Sequence, residues 1–372
     1  MSSARRGTAA GILGLGACLP ETIRTNDFWP PEFTRRDTER QKGDLLAIDR
    51  NSDGQPNRMD RIVAEAQARY AGDPFKGAVQ RHVITDAEEP SDLEAEAGRR
   101  AVADAGVSPE AVDAVLVHSL QPDLLHPSNA PAVQDKCGLR NAVAIAVDNG
   151  CCSQVVMMAL GRSMIESGSF RHVLCVSSSA ASRTVEPMNP AAPIFGDGAS
   201  ALLLGPVPDG YGVVGQFLRT DGAFRDAVVN AVYVDGKPER QWHRHVGPIR
   251  LATFAPDRGR ETGLRQVEFC LESSTAALVE AGLGLGDVDF FLGPQTIAWL
   301  NGALAEAVGV RPERTLDTFA EVANLGSATI AYNLLAARRR GLLRDRDLVL
   351  TYSPGAGLTR AAVAFRYWAG AR

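Results

Sequence analysis

The sequence has no apolar run long enough to cross a membrane. No stretch of its 372 residues approaches the roughly 18 consecutive apolar residues that a transmembrane helix needs. Near the N-terminus, Arg5 and Arg6 precede only a short Ala/Gly/Leu run. That run passes directly into a strand-and-turn pattern at residues 11–20, which is not typical of a secretory signal. These absences predict a cytoplasmic protein with no membrane partner.

The chain also lacks a strong excess of either charge. It has 39 Lys and Arg against 44 Asp and Glu, a formal net charge of −5 and an isoelectric point of about 5.8. This balance gives no basic surface of the kind that binds nucleic acid or anionic lipid. We therefore expect no nucleic-acid partner.

Cysteine is scarce and is not spaced for metal binding. None of the six cysteines forms a CxxC pair, which predicts no metal site, and a reducing compartment argues against disulfides. Four of them lie in apolar or structural settings, where we expect buried fillers. The adjacent pair Cys151–Cys152 stands apart from these four.

Short apolar strands alternate with helical patterns, which favours an α/β fold with largely buried sheets. Residues 28–74 are polar and charged, and we interpret them as a surface excursion with a helix around residues 61–70. The predicted strands cover residues 111–118, 172–177, 199–204, 288–292 and 348–352. The predicted helices cover residues 93–105, 155–167, 267–281, 298–308 and 328–339.

An internal repeat divides the chain into two similar halves. Ala101-Val-Ala-Asp-Ala-Gly-Val matches Ala277-Leu-Val-Glu-Ala-Gly-Leu without a gap, at an offset of 176 residues. Chance resemblance between Ala-rich helices is the alternative, and matching strand positions weigh against it. We expect one half at residues 1–207, which includes the insertion 28–74, and the other at residues 208–372.

The same offset sets the loop from Asp148 to Cys151 opposite the loop from Asn324 to Ser327. Each loop lies just before a predicted helix. If a pseudo-two-fold axis relates the halves, the two helix N-termini approach each other at the middle of the molecule. Active sites are often built at such junctions.

Cys151 occupies the first turn of an apolar and therefore buried helix. A thiol at that position faces the positive end of the helix dipole and unpaired backbone N–H groups, which stabilise a thiolate and lower its pKa. The same N–H groups can hold an oxyanion. The alternative is a small buried residue at a crowded turn, and the local residues alone do not decide between the two.

The segment from Pro127 to Gly168 resembles the ketoacyl-ACP synthase III enzymes of the thiolase superfamily. An ungapped count from both ends of the segment puts the family nucleophile on Cys151 and not on Cys152. The likeness covers nearly the whole chain outside residues 28–74 and about 219–265. The residues that carry it are Leu19-Pro-Glu, Thr25-Asn-Asp, Pro127-Ser128, Cys137-Gly138, Gly150-Cys151-Cys152-Ser153, Ser167-Gly168, Phe195-Gly-Asp-Gly-Ala199, Ala323-Asn324-Leu-Gly-Ser327 and Gly355-Ala-Gly-Leu-Thr359.

The resemblance implies a thiolase-like α/β fold, with two pseudo-repeated halves in five layers, and a homodimer. It also implies that Cys151 carries an acyl group taken from an acyl-CoA or an acyl carrier protein. The backbone amides of Cys151 and Ala356 would form the oxyanion hole, and Asn324 would be the second catalytic residue. No cofactor beyond the thioester substrate is expected, and no metal.

One departure from the family changes the expected chemistry. Pro294 occupies the place of the family histidine, which acts with Asn324 to stabilise the enolate in decarboxylative condensation. Each such donor contributes about 3 kcal/mol, and proline has neither a side-chain donor nor an N–H. Acyl transfer to an O, N or S nucleophile of a small-molecule acceptor needs only a thiolate, an oxyanion hole and a base for the acceptor. The sequence therefore favours an acyltransferase of specialised, polyketide-like metabolism.

Two other functions stay open. One is a condensing ketosynthase, decarboxylating or not, with an unusual base; the other is a non-catalytic subunit that pairs with an active paralogue. Carrier docking is also in doubt, because residues 298–306 lack the Arg and Lys that the family often places there.

Other histidines could replace the missing one. The resemblance implies that His126 reaches across a dimer interface, where it could be a base or a pocket residue for the partner subunit. His243 and His245 could fold over the site, and as a His-x-His pair without a third ligand they are not expected to bind metal. We expect His82, His118 and His172 to be packing or surface residues.

Overall fold

The computed structural model describes residues 8–35 and 58–370. Residues 36–57 of the predicted surface excursion, including the Asn51-Ser-Asp-Gly turn cluster, lie outside the described residues, as do Arg5 and Arg6. The predicted helix in the described part of the excursion is confirmed: α1 runs from Arg58 to Ala68.

A five-stranded sheet forms from the N-terminal part of the chain, in the order β1-β7-β6-β4-β5. Strand β4 is parallel to β5 and β6, whereas β7 is antiparallel to both β6 and β1. Nearly every residue of β4, β6 and β7 is buried, as the apolar runs predicted. The strands are β1 (Ala10–Cys18), β4 (Ala114–Ser119), β5 (Val143–Ala146), β6 (Val173–Ser179) and β7 (Gly198–Pro206).

A four-stranded sheet forms from the C-terminal part, in the order β12-β13-β14-β8. Strands β12 and β13 are parallel, and β14 is antiparallel to both β13 and β8. These strands are β8 (Gly212–Thr220), β12 (Phe290–Leu292), β13 (Leu348–Gly355) and β14 (Thr359–Arg366).

Helices lie between the two sheets and on both outer faces. Helices α4 (Ser153–Glu166) and α9 (Thr329–Arg339) contact both sheets and share one apolar core with them. On the outer face of the first sheet lie α2 (Pro90–Asp104) and α3 (Ala130–Lys136); on that of the second lie α6 (Gln266–Glu280) and α7 (Leu300–Val308). The result is the α/β fold of five layers that the resemblance implied.

The internal repeat is present in the structure. Helices α2 and α6 begin and end 176 residues apart, and so do the short 3-10 turns Gly150–Cys152 and Gly326–Ala328. The chain leaves the first sheet at Pro206 and enters the second at Gly212. The division into halves at 207 and 208 stays a proposal, because the two sheets share the central core.

The predicted strands and helices are confirmed, with ends that differ by a few residues. The structure adds elements in residues about 219–265, where the motif resemblance gave no expectation: a small sheet, ordered β10-β9-β11, and the helix α5 (Pro256–Leu264). Its strands are β9 (Val229–Val234), β10 (Lys237–Glu239) and β11 (Ile249–Ala252). Other short elements include the antiparallel pair β2 (Ile23–Thr25) and β3 (Gln80–His82), and α8 (Phe319–Val322).

Within the described residues, no helix combines the length and the hydropathy that crossing a lipid bilayer requires.

Glu94 is a fully buried carboxyl group on α2, beneath the first sheet. Its oxygens accept hydrogen bonds from the Ser119 hydroxyl at 2.6 Å, the Ser178 hydroxyl and the Asn129 amide at 3.0 Å. Burial raises its pKa to about 7 despite these donors. The desolvation of the carboxylate therefore outweighs three hydrogen bonds.

The raised pKa makes stability depend on pH. The folded state holds the Glu94 proton more tightly than the unfolded state, so its contribution is fully present below the unfolded pKa and is lost as pH rises through about 7. Between pH 5 and pH 8 the free energy of unfolding should fall by about 2–3 kcal/mol more in the natural chain than in Glu94→Gln. Urea denaturation at the two pH values measures this difference.

Glu96→Gln is the matched control. Glu96 lies on the same helix but is largely solvated and paired with Arg99 and Arg100. Its substitution should leave the pH dependence nearly unchanged. Equal pH dependence in the natural chain and Glu94→Gln would show that Glu94 is ionised in the folded protein near neutral pH.

Candidate active site

The turn that carries Cys151 lies between β5 and α4. Gly150 has a φ of +58°, which opens the 3-10 turn Gly150–Cys152 before α4 begins at Ser153. The Ser153 hydroxyl donates to the Gly150 carbonyl and accepts from the Asn149 N–H, both at 2.8 Å. The turn is thus closed by its own hydrogen bonds, and Cys151 stands at its centre.

The two adjacent cysteines differ in exposure. Cys151 is partly exposed, whereas Cys152 is fully buried and its thiol donates to the Asn149 carbonyl at 3.0 Å. Burial also raises the pKa of Cys152 far above its usual range. The structure therefore makes Cys151 the accessible thiol of the pair, in agreement with the motif register.

The loop that follows β13 packs directly on this turn. A Cβ built on Gly150 would lie 2.7 Å from the Ala356 nitrogen, and one built on Gly355 would lie 1.9 Å from the Asn149 carbonyl oxygen. The Ser353 hydroxyl donates to the Cys151 carbonyl at 3.1 Å. The Ala356 amide is therefore packed against the turn that carries Cys151, and the oxyanion hole of these two amides stays a prediction.

Asn324 lies on the opposite loop, before α9. Its side-chain oxygen accepts from the Gly326 N–H at 2.9 Å, which turns the amide nitrogen away from that turn. Within the described residues this nitrogen has no hydrogen-bond partner and remains available as a donor. The preceding Ala323 has a φ of +55°, a strained value for a residue with a side chain, as is common at functional sites.

The Phe195-Gly-Asp-Gly-Ala199 turn holds the Asn324 loop from behind. The Gly196 N–H donates to the Asn324 carbonyl at 3.1 Å, and the Asn324 N–H donates to the Ile194 carbonyl at 2.9 Å. The turn Gly326–Ala328 then contacts the turn Gly150–Cys152. The approach of the two helix N-termini predicted from the repeat is confirmed.

Position 294, where the resemblance implies the family histidine, carries no side-chain donor. Pro294 is buried, and the neighbouring Gln295 is directed into an internal network with Thr318 and Asn333. Among the described residues, this segment thus supplies no acid, base or hydrogen-bond donor of its own to the site.

The predicted low pKa of Cys151 is wrong. Burial raises the pKa of the Cys151 thiol; its own backbone N–H lowers it in part, and the Asp148 carboxylate raises it further. The physical reason is that the loss of hydration outweighs the stabilisation of charge at a helix N-terminus. Cys151 therefore needs a base to become a nucleophile near neutral pH.

A cavity lies beside Gly150, and His126, His243 and His245 do not line it. His126 is exposed on the loop after β4, and His243 and His245 are exposed around a short turn near β10. The expectation that His243 and His245 fold over the site is therefore not supported. His82 and His172 each bind a backbone carbonyl through Nδ1, as expected of packing or surface residues.

The structure places His118, expected from the sequence to be a packing or surface residue, at the wall of a cavity beside the turn of Cys151. Only 2% of the His118 side chain is exposed. The residue nevertheless lines a cavity of about 440 Å³ together with Asp148, Gly150 and Ala356. One signal in the sequence could have identified it: residues 118 and 294 are 176 positions apart, the offset of the repeat.

The close approach at Gly355 gives a testable prediction. In Gly355→Ala the added methyl would overlap the Asn149 carbonyl and lie 2.7 Å from the Cys152 sulfur. We expect a loss of about 1–3 kcal/mol in the free energy of unfolding and a displaced Ala356 amide, hence slower modification of Cys151 by acyl thioesters. Denaturation and mass spectrometry measure the two effects.

Gly302→Ala is the control for this substitution. Gly302 lies on α7, and a Cβ there meets no atom within 4 Å, so the change should be neutral or slightly stabilising. Unchanged stability and acylation in Gly355→Ala would show that the two loops are further apart than described.

Comparisons with known proteins agree with this geometry. The family model of 3-oxoacyl-[acyl-carrier-protein] synthase III matches residues 145–222, and the model of its C-terminal part matches residues 278–367. A beta-ketoacyl-[acyl-carrier-protein] synthase III of Cereibacter sphaeroides is 32% identical over 298 residues, covering 78% of this chain and 88% of that protein. One from Caldanaerobacter subterraneus is 27% identical over 361 residues, covering 96% of this chain and 98% of the relative.

A solved structure gives the same result. The 3-oxoacyl-(acyl carrier protein) synthase III of Pseudomonas aeruginosa PAO1 superposes with a TM-score of 0.76 at 25% identity. The match covers 98% of this chain and all of that one.

Proposed function

Since this chain belongs to the 3-oxoacyl-[acyl-carrier-protein] synthase III family of the thiolase superfamily, we propose that it is an acyltransferase that works through an acyl-Cys151 thioester. The donor is an acyl-CoA or an acyl carrier protein, and the acceptor is an O, N or S nucleophile. One observation carries the proposal: an accessible Cys151 lies beside the Ala356 amide while Pro294 fills the histidine position.

The proposed roles follow from the contacts of each group. The Cys151 sulfur attacks the thioester carbonyl, and the amides of Cys151 and Ala356 stabilise the oxyanion that forms. Asn324 contributes its unpartnered amide nitrogen as a donor to the substrate or to the acceptor. Transfer of the acyl group then needs no enolate, and so it does not need the donor that Pro294 lacks.

A condensing reaction is the second candidate, because the relatives named above are ketoacyl synthases. Such a reaction would use Asn324 as the remaining enolate donor, together with an unusual base. A third candidate is a subunit that does not catalyse and pairs with an active paralogue; the retention of Cys151 and Asn324 argues against it.

A homodimer is part of the proposal. Leu124 and Leu125 are 61% and 70% exposed next to His126, and Val143 is exposed on the edge strand β5. Apolar side chains so placed suit burial against a second copy of the chain. His126 would then lie at the contact between the subunits, where it could reach the partner's pocket.

The helix α7, on which the resemblance places carrier docking, is partly covered in this chain. The insertion helix α1 packs on α7 through the buried Ile62, and the Arg58 guanidinium donates to the Glu306 carbonyl at 3.4 Å. Part of the α7 surface, which in the family meets the carrier protein, is thus covered. This arrangement supports CoA over a carrier protein as the donor, within a cytoplasmic and specialised metabolism.

Intact-mass spectrometry tests the acyl-enzyme. The natural chain, incubated with a series of acyl-CoAs, should gain the mass of one acyl group and free thiol should be lost from Cys151 only. Cys151→Ala should gain no mass, whereas Cys152→Ala should still be acylated because the buried Cys152 thiol takes no part.

Two other outcomes would contradict the proposed acyl-Cys151 thioester. An adduct retained in Cys151→Ala but lost in Cys152→Ala would show that Cys152, and not Cys151, carries the acyl group. No adduct with any donor, on CoA or on a carrier, would support the non-catalytic subunit.

Malonyl thioester separates transfer from condensation. Loss of the donor at Pro294 should reduce decarboxylation about a hundredfold or more, so carbon dioxide release from labelled malonyl-CoA should remain near background. The acyl-loaded enzyme should meanwhile transfer its group to simple alcohols, amines or thiols. Carbon dioxide released together with a ketoacyl product would establish the condensing reaction instead.

A further inference from the structure

His118 is placed by the alternation of β4. Val115 and Val117 pack into the core on the outer face of the first sheet, whereas Leu116 belongs to the central core shared with α4 and α9. Successive residues of a strand point to opposite faces, so His118 points, like Leu116, toward the central layer. It leaves the strand on the side where the turn of Cys151 lies.

The internal repeat relates position 118 to position 294. The offset of 176 residues relates His118 to Pro294, and it also relates Asp148 to Asn324. The family histidine and asparagine would stand at 294 and 324. The chain that has lost this histidine therefore carries a histidine beside a carboxylate at the pseudo-symmetric positions.

The contacts of the ring fix its protonation. Nδ1 lies 3.2 Å from the Val147 carbonyl oxygen and 3.5 Å from the Asp148 carboxylate. Both neighbours only accept hydrogen bonds, so Nδ1 carries the proton and Nε2 has a free lone pair. Nε2 is buried and has no hydrogen-bond partner among the described residues. A buried nitrogen without a partner is costly, and such atoms are common where a reacting group is to be met.

Asp148 connects this ring to the nucleophile. The same carboxylate oxygen that faces His118 accepts from the Gly150 N–H at 3.1 Å, one residue before Cys151. Its charge raises the pKa of the Cys151 thiol and opposes the fall that burial causes in the pKa of His118. The thiol is thus held protonated while the imidazole is held neutral, the starting states for a proton transfer.

We propose that His118, oriented by Asp148, is the general base of this site in place of the histidine absent from position 294. The inference rests on the proposed acyl-Cys151 chemistry and assigns its proton transfers. Residue 118 and the turn of Cys151 share the cavity wall with the Ala356 amide. His126 of a partner subunit is then not required as the base.

The proton balance of both steps runs through Nε2. In the first step, Nε2 takes the proton of the Cys151 thiol, the sulfur bonds to the thioester carbonyl carbon, and the bond from that carbon to the donor sulfur breaks. The departing thiolate takes the proton from Nε2. In the second step, the acceptor loses its proton to Nε2 as it bonds to the acyl carbonyl carbon. The bond from that carbon to the Cys151 sulfur breaks, and the departing thiolate takes the proton from Nε2.

Alkylation of Cys151 by iodoacetamide tests the base without any acyl donor. His118→Gln should slow both alkylation near pH 7.5 and single-turnover acylation by acyl-CoA, the latter by about a hundredfold or more. In His118→Ala, added imidazole should restore a large part of both rates, which a purely structural role would not allow. Thermal melting of each variant identifies any that has failed to fold, and imidazole rescue of the folded variant then decides.

The pH profile gives a second readout. The titratable groups around the ring are Asp148 and, across the cavity, Arg225, while the Cys151 thiol follows Gly150 of the cavity wall; the strand neighbour of His118, Ser177, is uncharged. Because the Asp148 charge favours the imidazolium, Asp148→Asn should move the acidic limb of the Cys151 alkylation profile to lower pH. An unmoved limb would contradict the pairing of Asp148 with His118.

Two further variants complete the experiment. His172→Gln changes a histidine far from the cavity and should react at the natural rate. Natural rates in His118→Gln, or a loss in His126→Gln with none in His118→Gln, would overturn the proposal. If no acyl donor modifies the natural chain while alkylation still depends on His118, the proposed function fails and this inference stands.

Discussion

The approach of the Asn149–Gly150 backbone to the Gly355–Ala356 backbone is the contact on which the site depends. Only glycine fits at two of these positions, because an added Cβ would overlap the facing backbone atoms. The contact joins a turn of the first sheet to a loop of the second and sets the Ala356 amide against Gly150, the residue before Cys151. The shared core between the sheets, built largely from α4 and α9, holds both partners at that separation.

Desolvation then determines what the thiol can do. A cysteine at a helix N-terminus would be a ready thiolate if its surroundings were wet, but here burial outweighs the backbone donor and Asp148 adds a like charge. A protonated thiol is a weak nucleophile until a base removes its proton. Pro294 cannot do so, and the chemistry of the site therefore depends on which other group can.

Much of this molecule could be predicted from its sequence, since periodicity, motif order and the repeat are local or pairwise signals. They gave the α/β layers, the meeting of the loops at Cys151 and Asn324, and the choice of Cys151 over Cys152. The pKa of Cys151 could not be predicted in the same way, because it depends on how many atoms the whole fold packs around one sulfur. The cover of α7 by α1 and the small sheet of β9, β10 and β11 also come from tertiary packing that no motif encodes.

His118 has one property that only the fold determines and one that the sequence already contains. Its burial depends on the fold, but its position relative to 294 was already present in the offset of the repeat. A fold made of two similar units presents two equivalent sets of positions around one pseudo-two-fold axis, and only one set has to carry the base. In the proposed assignment, Pro294 stands where the second unit would carry the base, and His118 and Asp148 stand at the matching positions in the first, next to the same central turns. The pseudo-symmetry of the fold thus offers a physical route by which a ketosynthase scaffold can lose its histidine and keep a reactive cysteine.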